Sequence, residues 1–135
     1  MRLRVPFSDV DMHGHVHNGV YFAYVETALN EFLRLGGLSG RFDPRHNDVV
    51  YHVRKAELVY HAPAGFEDEL DVTPRVARIG DSSLTFAVAV TRAGDGTPVA
   101  DATVVWVCVD RATGRTTPVP DATRAALAAT AGEDR

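Results

Sequence analysis

Cysteine, clustered positive charge and long apolar runs are all scarce in this chain. Its 135 residues include one cysteine, Cys108, which excludes a disulfide framework and a cysteine-based metal cluster. Aspartate and glutamate number 18 against 14 lysines and arginines, and bulk phosphate binding needs the opposite excess. No apolar run approaches the ~18 residues of a membrane span, and residues 1–6 carry no apolar secretory segment. We therefore expect a cytoplasmic protein with no nucleic-acid or membrane partner.

The composition is that of an ordinary folded domain. Hydrophobic residues make up 45% of the chain and charged residues 24%, which excludes intrinsic disorder. A chain of this length suffices for one domain and falls short of two. We predict that domain at residues 1–120. Residues 121–135 are alanine-rich and are expected to form a tail, either a short helix or a frayed end.

The spacing of apolar residues predicts one long helix and about five strands. The helical period covers residues 19–35, after a candidate N-cap at Asn18 and before Gly36-Gly37. Residues 38–47 show no period and are predicted to form a loop. One long helix against a largely antiparallel sheet is an α+β arrangement. The strands are predicted at residues 3–7, 49–61, 69–79, 84–91 and 98–110.

The apolar surfaces of these elements predict a second copy of the chain. The last strand is apolar on both faces around Trp106, which is typical of a strand covered by a helix or by another subunit. One helix of about 25 Å covers one face of a five-stranded sheet and leaves an edge open. A homodimer, or a homotetramer of stacked dimers, would supply the missing cover. The apolar stripe of the helix consists of Tyr21, Val25, Ala28, Phe32 and Leu35.

Polar chemistry concentrates in the loop at residues 9–18, where the first strand leads into the helix. It holds two carboxylates, three histidines and an asparagine. A helix N-terminus offers unpaired N–H groups and a positive dipole end. A carboxylate beside it serves as a general base or nucleophile while the N–H groups polarise a carbonyl oxygen. The alternative is that Asp9 and Asp11 only form Asx turns and cap the helix, and the residue types alone do not decide between the two.

The same loop resembles a known family signature. Residues 9–21, DVDMHGHVHNGVY, are similar to the D-x-D-x-x-G-H-V-N-N-x-x-Y signature of hot-dog-fold thioesterases. The nearest group is the 4-hydroxybenzoyl-CoA thioesterase-like (acyl-CoA thioester hydrolase) family. Further similarity follows in family order, so that the resemblance covers residues 3–120. These further segments are the aromatic helix start at residues 21–26, residues 60–64, residues 79–83 and residues 118–120.

The resemblance implies a hot-dog fold, an antiparallel sheet wrapped round a central helix, with active sites where subunits pair. It implies hydrolysis of an acyl-CoA or acyl-carrier-protein thioester without a cofactor or metal. Asp11 matches the family's base or nucleophile, and the backbone N–H of Asn18 matches its oxyanion donor. His15 matches an assisting histidine of plant-type relatives. The sequence departs from the pattern at His17, where an asparagine is common, and at His13, where plant-type enzymes have a functional asparagine.

Other residues are candidates for substrate binding. The acyl tail is expected to lie along the helix, past Tyr21, Phe22 and Val25, at the subunit interface. His13 in the loop is a further candidate for substrate binding. Glu26 lies on the helix where related hot-dog enzymes use an acidic residue, although a solvent-facing glutamate also fits. Ser82 and Ser83 follow a turn that in the family approaches the neighbouring subunit's site, and small polar residues in turns also need no function.

Three other interpretations are open at this point. The histidines at positions 13, 15 and 17 alternate as metal ligands on an extended strand would, but Gly14 interrupts such a strand and we predict no metal. A hot-dog dehydratase or hydratase would depend on Glu26 instead of Asp11. A non-catalytic subunit would bind acyl thioesters and release no thiol.

Overall fold

The computed structural model describes residues 1–133. Within them, five strands form one sheet in the order β1-β3-β4-β5-β2, and β1 pairs antiparallel with β3, Arg2 opposite Asp71. The α+β arrangement of one long helix and a five-stranded antiparallel sheet is confirmed. In chain order the elements are β1 (Arg2–Arg4), α1 (Val20–Leu35), α2 (Ser39–Phe42), β2 (Val49–Tyr60), β3 (Glu69–Ile79), β4 (Ser83–Arg92), β5 (Pro98–Asp110) and α3 (Asp121–Glu133).

Helix α1 ends as its glycines predict. Gly37 has φ +73, the left-handed conformation that glycine adopts without strain. Its N–H donates to Arg34 O at 3.1 Å, and the N–H of Leu38 donates to Leu33 O at 2.7 Å. This pair of bonds is a Schellman motif, which satisfies the last carbonyls of the helix.

Two local expectations were wrong. Residues 38–47, expected to be a loop, contain α2, a helix too short to show a period in the sequence. Leu35, assigned to the buried stripe of α1, is 76% exposed because the helix ends there. The stripe is otherwise wider than predicted, because Tyr24, Leu29 and Leu33 are buried beside Tyr21, Val25 and Ala28.

The described residues group into two compact units. The first contains Met1–Phe32, Leu58–Pro74 and Val88–Ala102. Its core combines α1 up to Phe32 with the strand segments that belong to the unit, and the loop at residues 9–18 is part of the same unit. The buried strand residues of this unit are Leu70, Val72, Val88, Val90, Val99, Ala100 and Ala102.

The second unit contains Leu33–Glu57, Arg75–Ala87 and the chain from Thr103 onward. Its core includes an aromatic cluster in which Trp106 lies against Phe42, Tyr51 and Phe86, with ring centroids 4.9–6.3 Å apart. Cys108 is fully buried there, and burial raises the pKa of its thiol.

The alanine-rich end of the chain forms α3, which belongs to the second unit. Thr123 and Leu127 are buried, and the guanidinium of Arg124 donates to Gly80 O at 2.8 Å and to Asp81 O at 3.1 Å. These bonds hold α3 to the turn between β3 and β4. The domain boundary at residue 120 stays a prediction, and Asp134 and Arg135 lie outside the described residues.

No helix within residues 1–133 is both long and apolar enough to span a membrane. The expected pairing of subunits also stays a prediction. Its sequence basis is visible in β5, where Val105, Trp106 and Val107 are only half-buried within one chain.

Candidate active site

The loop at residues 9–17 folds into a narrow hairpin, here called the site hairpin. The N–H of Asp11 donates to His15 O at 2.9 Å, and the N–H of His17 donates to Asp9 O at 3.0 Å. At the tip, Gly14 has φ +78, and its N–H donates to Asp11 O at 3.0 Å. A glycine is favoured at that tip because a side chain there would be strained.

Two contacts tie the site hairpin to the rest of the first unit. The N–H of Val16 donates to Ala64 O at 2.8 Å. The hydroxyl of Tyr24, on α1, donates to Oδ2 of Asp9 at 2.6 Å. Burial, together with this bond to Asp9, holds the pKa of Tyr24 well above its usual value. The carboxylate of Asp9 therefore anchors the hairpin to α1 and does not cap the helix.

The carboxylate of Asp11 is half-exposed and only partly used by the fold. Its Oδ1 accepts the N–H of His13 at 2.9 Å, so the Asx turn considered in the sequence does form. Among residues 1–133, no donor is bonded to Oδ2. The turn therefore fixes the direction of the carboxylate while one oxygen stays available for chemistry.

The start of α1 has an unusual distribution of hydrogen bonds. Asn18 was expected to cap the helix, but its Oδ1 accepts the N–H of Gly19 at 3.1 Å, just ahead of the first helical residue. The same N–H also donates to Nδ1 of His17 at 3.1 Å. The N–H of Val20 donates to His17 O at 2.9 Å. Within the described part of the chain, the N–H of Asn18 has no acceptor, which is the condition for an oxyanion donor.

A pocket of about 780 Å³ opens in front of these groups, within the range of small-molecule sites. It brings together five residues that the sequence singled out: Asp11, His13, His15, Asn18 and Tyr21. Burial raises the pKa of the Tyr21 hydroxyl. The remaining lining residues are Met12, Val16, His17, Tyr60, His61, Ala62 and Pro63.

Sequence reasoning missed two of these pocket residues. The hydroxyl of Tyr60 donates to Asn18 O at 2.9 Å, and Nε2 of His61 lies 2.8 Å from Oδ2 of Asp101. Tyr60 ends β2 and His61 follows it, in a segment noted in the sequence only for the predicted strand and for the resemblance. The tyrosine and histidine in that segment were the available signal, but only the folded chain shows what they contact.

Three other candidates lie outside the pocket lining. Glu26 is exposed on α1. Ser82 and Ser83 belong to the second unit, where Ser82 O accepts the N–H of Cys108 at 2.8 Å and Ser83 O accepts the N–H of Gly80 at 2.8 Å. Those bonds give both serines a structural role in the turn before β4. A role in substrate binding stays a prediction for all three.

The three alternating histidines do not share the face of one strand, because the left-handed turn at Gly14 separates His13 from His15 and His17. Among residues 1–133, no three histidine, cysteine, aspartate or glutamate side chains are grouped as metal ligands.

Comparison with known proteins identifies the family. A family model described as the thioesterase-like superfamily matches residues 5–127. The chain belongs to this superfamily. A relative, the acyl-CoA thioester hydrolase YbgC of Escherichia coli O6:H1, is 32% identical over 108 residues, which are 80% of this chain and 79% of YbgC. The long-chain acyl-CoA thioesterase FadM of Escherichia coli K12 is 27% identical over 109 residues, 81% of each chain.

A solved structure shows the same fold. A 1,4-dihydroxy-2-naphthoyl-CoA thioesterase from Synechocystis superposes with a TM-score of 0.87, covering 95% of this chain and 93% of its own, at 20% identity. The predicted hot-dog fold and the predicted thioesterase family are therefore confirmed, and the chain is an enzyme of the thioesterase class.

Proposed function

We propose that this chain hydrolyses acyl-CoA thioesters, with Asp11 as general base or nucleophile and the N–H of Asn18 as oxyanion donor. One observation carries the proposal: among residues 1–133, Oδ2 of Asp11 has no bonded donor and the N–H of Asn18 has no acceptor, and both residues line the same pocket. The names of two relatives, an acyl-CoA thioester hydrolase and a long-chain acyl-CoA thioesterase, support acyl-CoA as the substrate.

The reaction needs only what this pocket offers. As a base, Asp11 takes a proton from water while the water oxygen attacks the thioester carbon. As a nucleophile, its Oδ2 attacks that carbon itself, the C–S bond breaks to leave an aspartyl anhydride, and water then cleaves the anhydride. In both routes the carbonyl oxygen gains negative charge, which the N–H of Asn18 stabilises. When the C–S bond breaks, the thiolate leaves as the free thiol by taking a proton. In the base route this is the proton held by Asp11; in the nucleophile route it comes from solvent, to which hydrolysis of the anhydride returns one.

The rate enhancement expected from Asp11 and the N–H of Asn18 is large enough for catalysis. One positioned oxyanion donor contributes roughly 3–4 kcal/mol, and a positioned base roughly 10²–10⁴ in rate. His15, whose carbonyl accepts the N–H of Asp11, is proposed to orient the attacking water or share its proton. His13 and Tyr21 are proposed to contact the substrate, with the acyl tail beside the buried ring of Tyr21.

The alternatives from the sequence gain no support from the site. A dehydratase would need Glu26 at the reacting atoms, and Glu26 is exposed outside the pocket lining. A binding-only subunit would not need the available carboxylate oxygen of Asp11. The proposal retains three expectations from the sequence. The alternative substrate is an acyl-carrier-protein thioester, the chain assembles as a homodimer or homotetramer, and its location is cytoplasmic.

The test is free-thiol release from a panel of aliphatic and aromatic acyl-CoAs. Asp11→Asn should lower kcat by about 10² or more and leave the fold intact, because asparagine keeps the Asx turn. The matched control is Asp95→Asn. The Oδ1 of Asp95 accepts the N–H of Thr97 at 2.9 Å, the same turn bond that Asp11 makes with His13.

The outcomes separate the parts of the proposal. Equal thiol release by the wild-type chain and Asp11→Asn would contradict the role of Asp11. Absence of release from every acyl-CoA by the wild-type chain would contradict acyl-CoA hydrolysis, and the same assay with acyl-carrier protein would then decide between the two carriers.

A further inference from the structure

The N–H of Asn18 can act as an oxyanion donor only if its direction is fixed, and the structure shows what fixes it. The Cα of Asn18 joins two peptide planes. The first, between His17 and Asn18, carries the N–H of Asn18, and the second, between Asn18 and Gly19, carries its carbonyl. In the first plane, His17 O accepts the N–H of Val20 at 2.9 Å. Because the C=O and N–H of a trans peptide point in opposite directions, the N–H of Asn18 in that plane points away from the helix.

The second peptide plane, between Asn18 and Gly19, is held by hydrogen bonds both at its N–H and at its carbonyl. Its N–H donates to Nδ1 of His17 and to Oδ1 of Asn18, each at 3.1 Å. Its carbonyl accepts the hydroxyl of Tyr60 at 2.9 Å. Tyr60 is the last residue of β2 and lies 42 positions away in the chain, so this bond ties the helix start to the sheet.

The ring of Tyr60 is itself positioned by the core of the first unit. It meets Tyr21 edge to face, with centroids 5.6 Å apart, and Tyr21 meets Tyr24 in the same manner at 6.1 Å. Tyr21 and Tyr24 are buried. Tyr60 itself is 47% exposed, and the contact with Tyr21 on one side of its ring orients its hydroxyl towards the Asn18 carbonyl.

We propose that Tyr60 is a positioning residue for the reaction: its hydroxyl holds the Asn18–Gly19 peptide so that the N–H of Asn18 points into the pocket. This inference rests on the proposed function, since it assigns Tyr60 a task in stabilising the oxyanion. Tyr60 acts through Asn18 and forms no bond to the reacting atoms.

The variant Tyr60→Phe tests this with the loss of one oxygen atom, because phenylalanine keeps the ring that lies against Tyr21. We expect kcat for acyl-CoA hydrolysis to fall about tenfold and KM to stay within about twofold, because the hydrogen bond to the carbonyl oxygen strengthens as negative charge develops in the transition state. Tyr51→Phe is the matched control. The hydroxyl of Tyr51 is buried in the second unit and lies outside the pocket lining, and its removal should leave kcat unchanged.

A second readout detects polarisation of the carbonyl directly. Asp11→Asn holds a 13C-carbonyl acyl-CoA uncleaved, and the infrared carbonyl stretch of the bound thioester should lie below its frequency in water. Adding Tyr60→Phe should reverse part of that shift. A merely structural role of Tyr60 would leave the frequency unchanged.

Each result distinguishes this inference from the proposed function. If the wild-type chain releases no thiol, both fail. If the wild-type chain is active and Tyr60→Phe keeps its full kcat, only the role of Tyr60 fails. A rise in KM at constant kcat would also overturn it, because Tyr60 would then bind substrate uniformly. An equal loss of kcat in Tyr51→Phe would overturn it by showing a general packing effect.

Discussion

The hydroxyl of Tyr24 and the carboxylate of Asp9 form a 2.6 Å hydrogen bond that joins the second turn of α1 to the first residue of the site hairpin. Tyr24 is only 8% exposed, and Asp9 is half-buried. A short, partly buried bond to a carboxylate is among the stronger interactions of a small domain. The first aspartate of the signature thus holds the hairpin, whereas Oδ2 of the second, Asp11, has no bonded donor among residues 1–133.

Removing this bond should weaken both stability and activity. Tyr24→Phe leaves the Asp9 carboxylate without its donor, and we expect the free energy of unfolding to fall by about 1–3 kcal/mol. Urea unfolding measures the loss, and kcat should fall with it because Asp11 is two residues away. In a double-mutant cycle, Asp9→Asn should cost much less when Tyr24 is already phenylalanine. Strictly additive costs would mean that the two side chains are not coupled.

Alkaline pH should destabilise the chain through its buried tyrosines. Burial raises the pKa of Tyr21, Tyr24 and Tyr51 above the ordinary value of 10.0. Below pH 10.0 both folded and unfolded chains keep these protons, so the tyrosines add no pH dependence. Above it the unfolded chain alone releases protons, and the free energy of unfolding falls as pH rises towards the folded pKa values.

Urea unfolding between about pH 9 and pH 11.5 measures this slope, given the ordinary tyrosine pKa. Tyr24→Phe removes one of the three groups, so the variant should lose stability with a shallower slope than the wild-type chain. An equal slope in both proteins would show that Tyr24 ionises at its ordinary pKa in the folded chain.

Local patterns predicted the elements well. Alternation placed a strand at residues 84–91, where the structure has β4, because alternation depends only on the two faces of one strand. The end of α1 followed from Gly37, since a left-handed residue there stops the helix. The four residues of α2 carry less than one and a half turns, so no periodic signal existed for them.

The sequence also predicted which segment supplies the polar residues of the candidate site, but it did not predict which partner each of them binds. Composition singled out residues 9–18, whereas the partners of those residues lie elsewhere in the chain. Tyr24 is 15 positions from Asp9, and Tyr60 is 42 positions from Asn18. A single sequence does not show that residues so far apart in the chain lie close together in the fold. That the N–H of Asn18 has no acceptor among residues 1–133 depends on the bonds of its neighbours His17, Gly19 and Val20, which a sequence does not show.

Gly14 provides a test of whether the shape of the site hairpin matters for the reaction. A Cβ at Gly14 would meet no atom within 4 Å, but its φ of +78 strains any L side chain. Gly114 has φ +73 and equally open surroundings, and it lies in the second unit, outside the pocket lining. Alanine should therefore cost each position about 1–2 kcal/mol of unfolding free energy through backbone strain.

The two variants should differ in activity. Gly14→Ala relieves its strain by shifting the tip that carries Asp11 and His13, so kcat should fall about tenfold or more, since small misplacements of reacting groups are costly. Gly114→Ala should keep the wild-type kcat at the same loss of stability. Gly14→Asn should recover part of the activity, because asparagine tolerates the left-handed conformation better than alanine does. Equal kcat in Gly14→Ala and Gly114→Ala would mean that catalysis does not depend on the geometry of the hairpin tip, and the assignment of Asp11 would lose its structural basis.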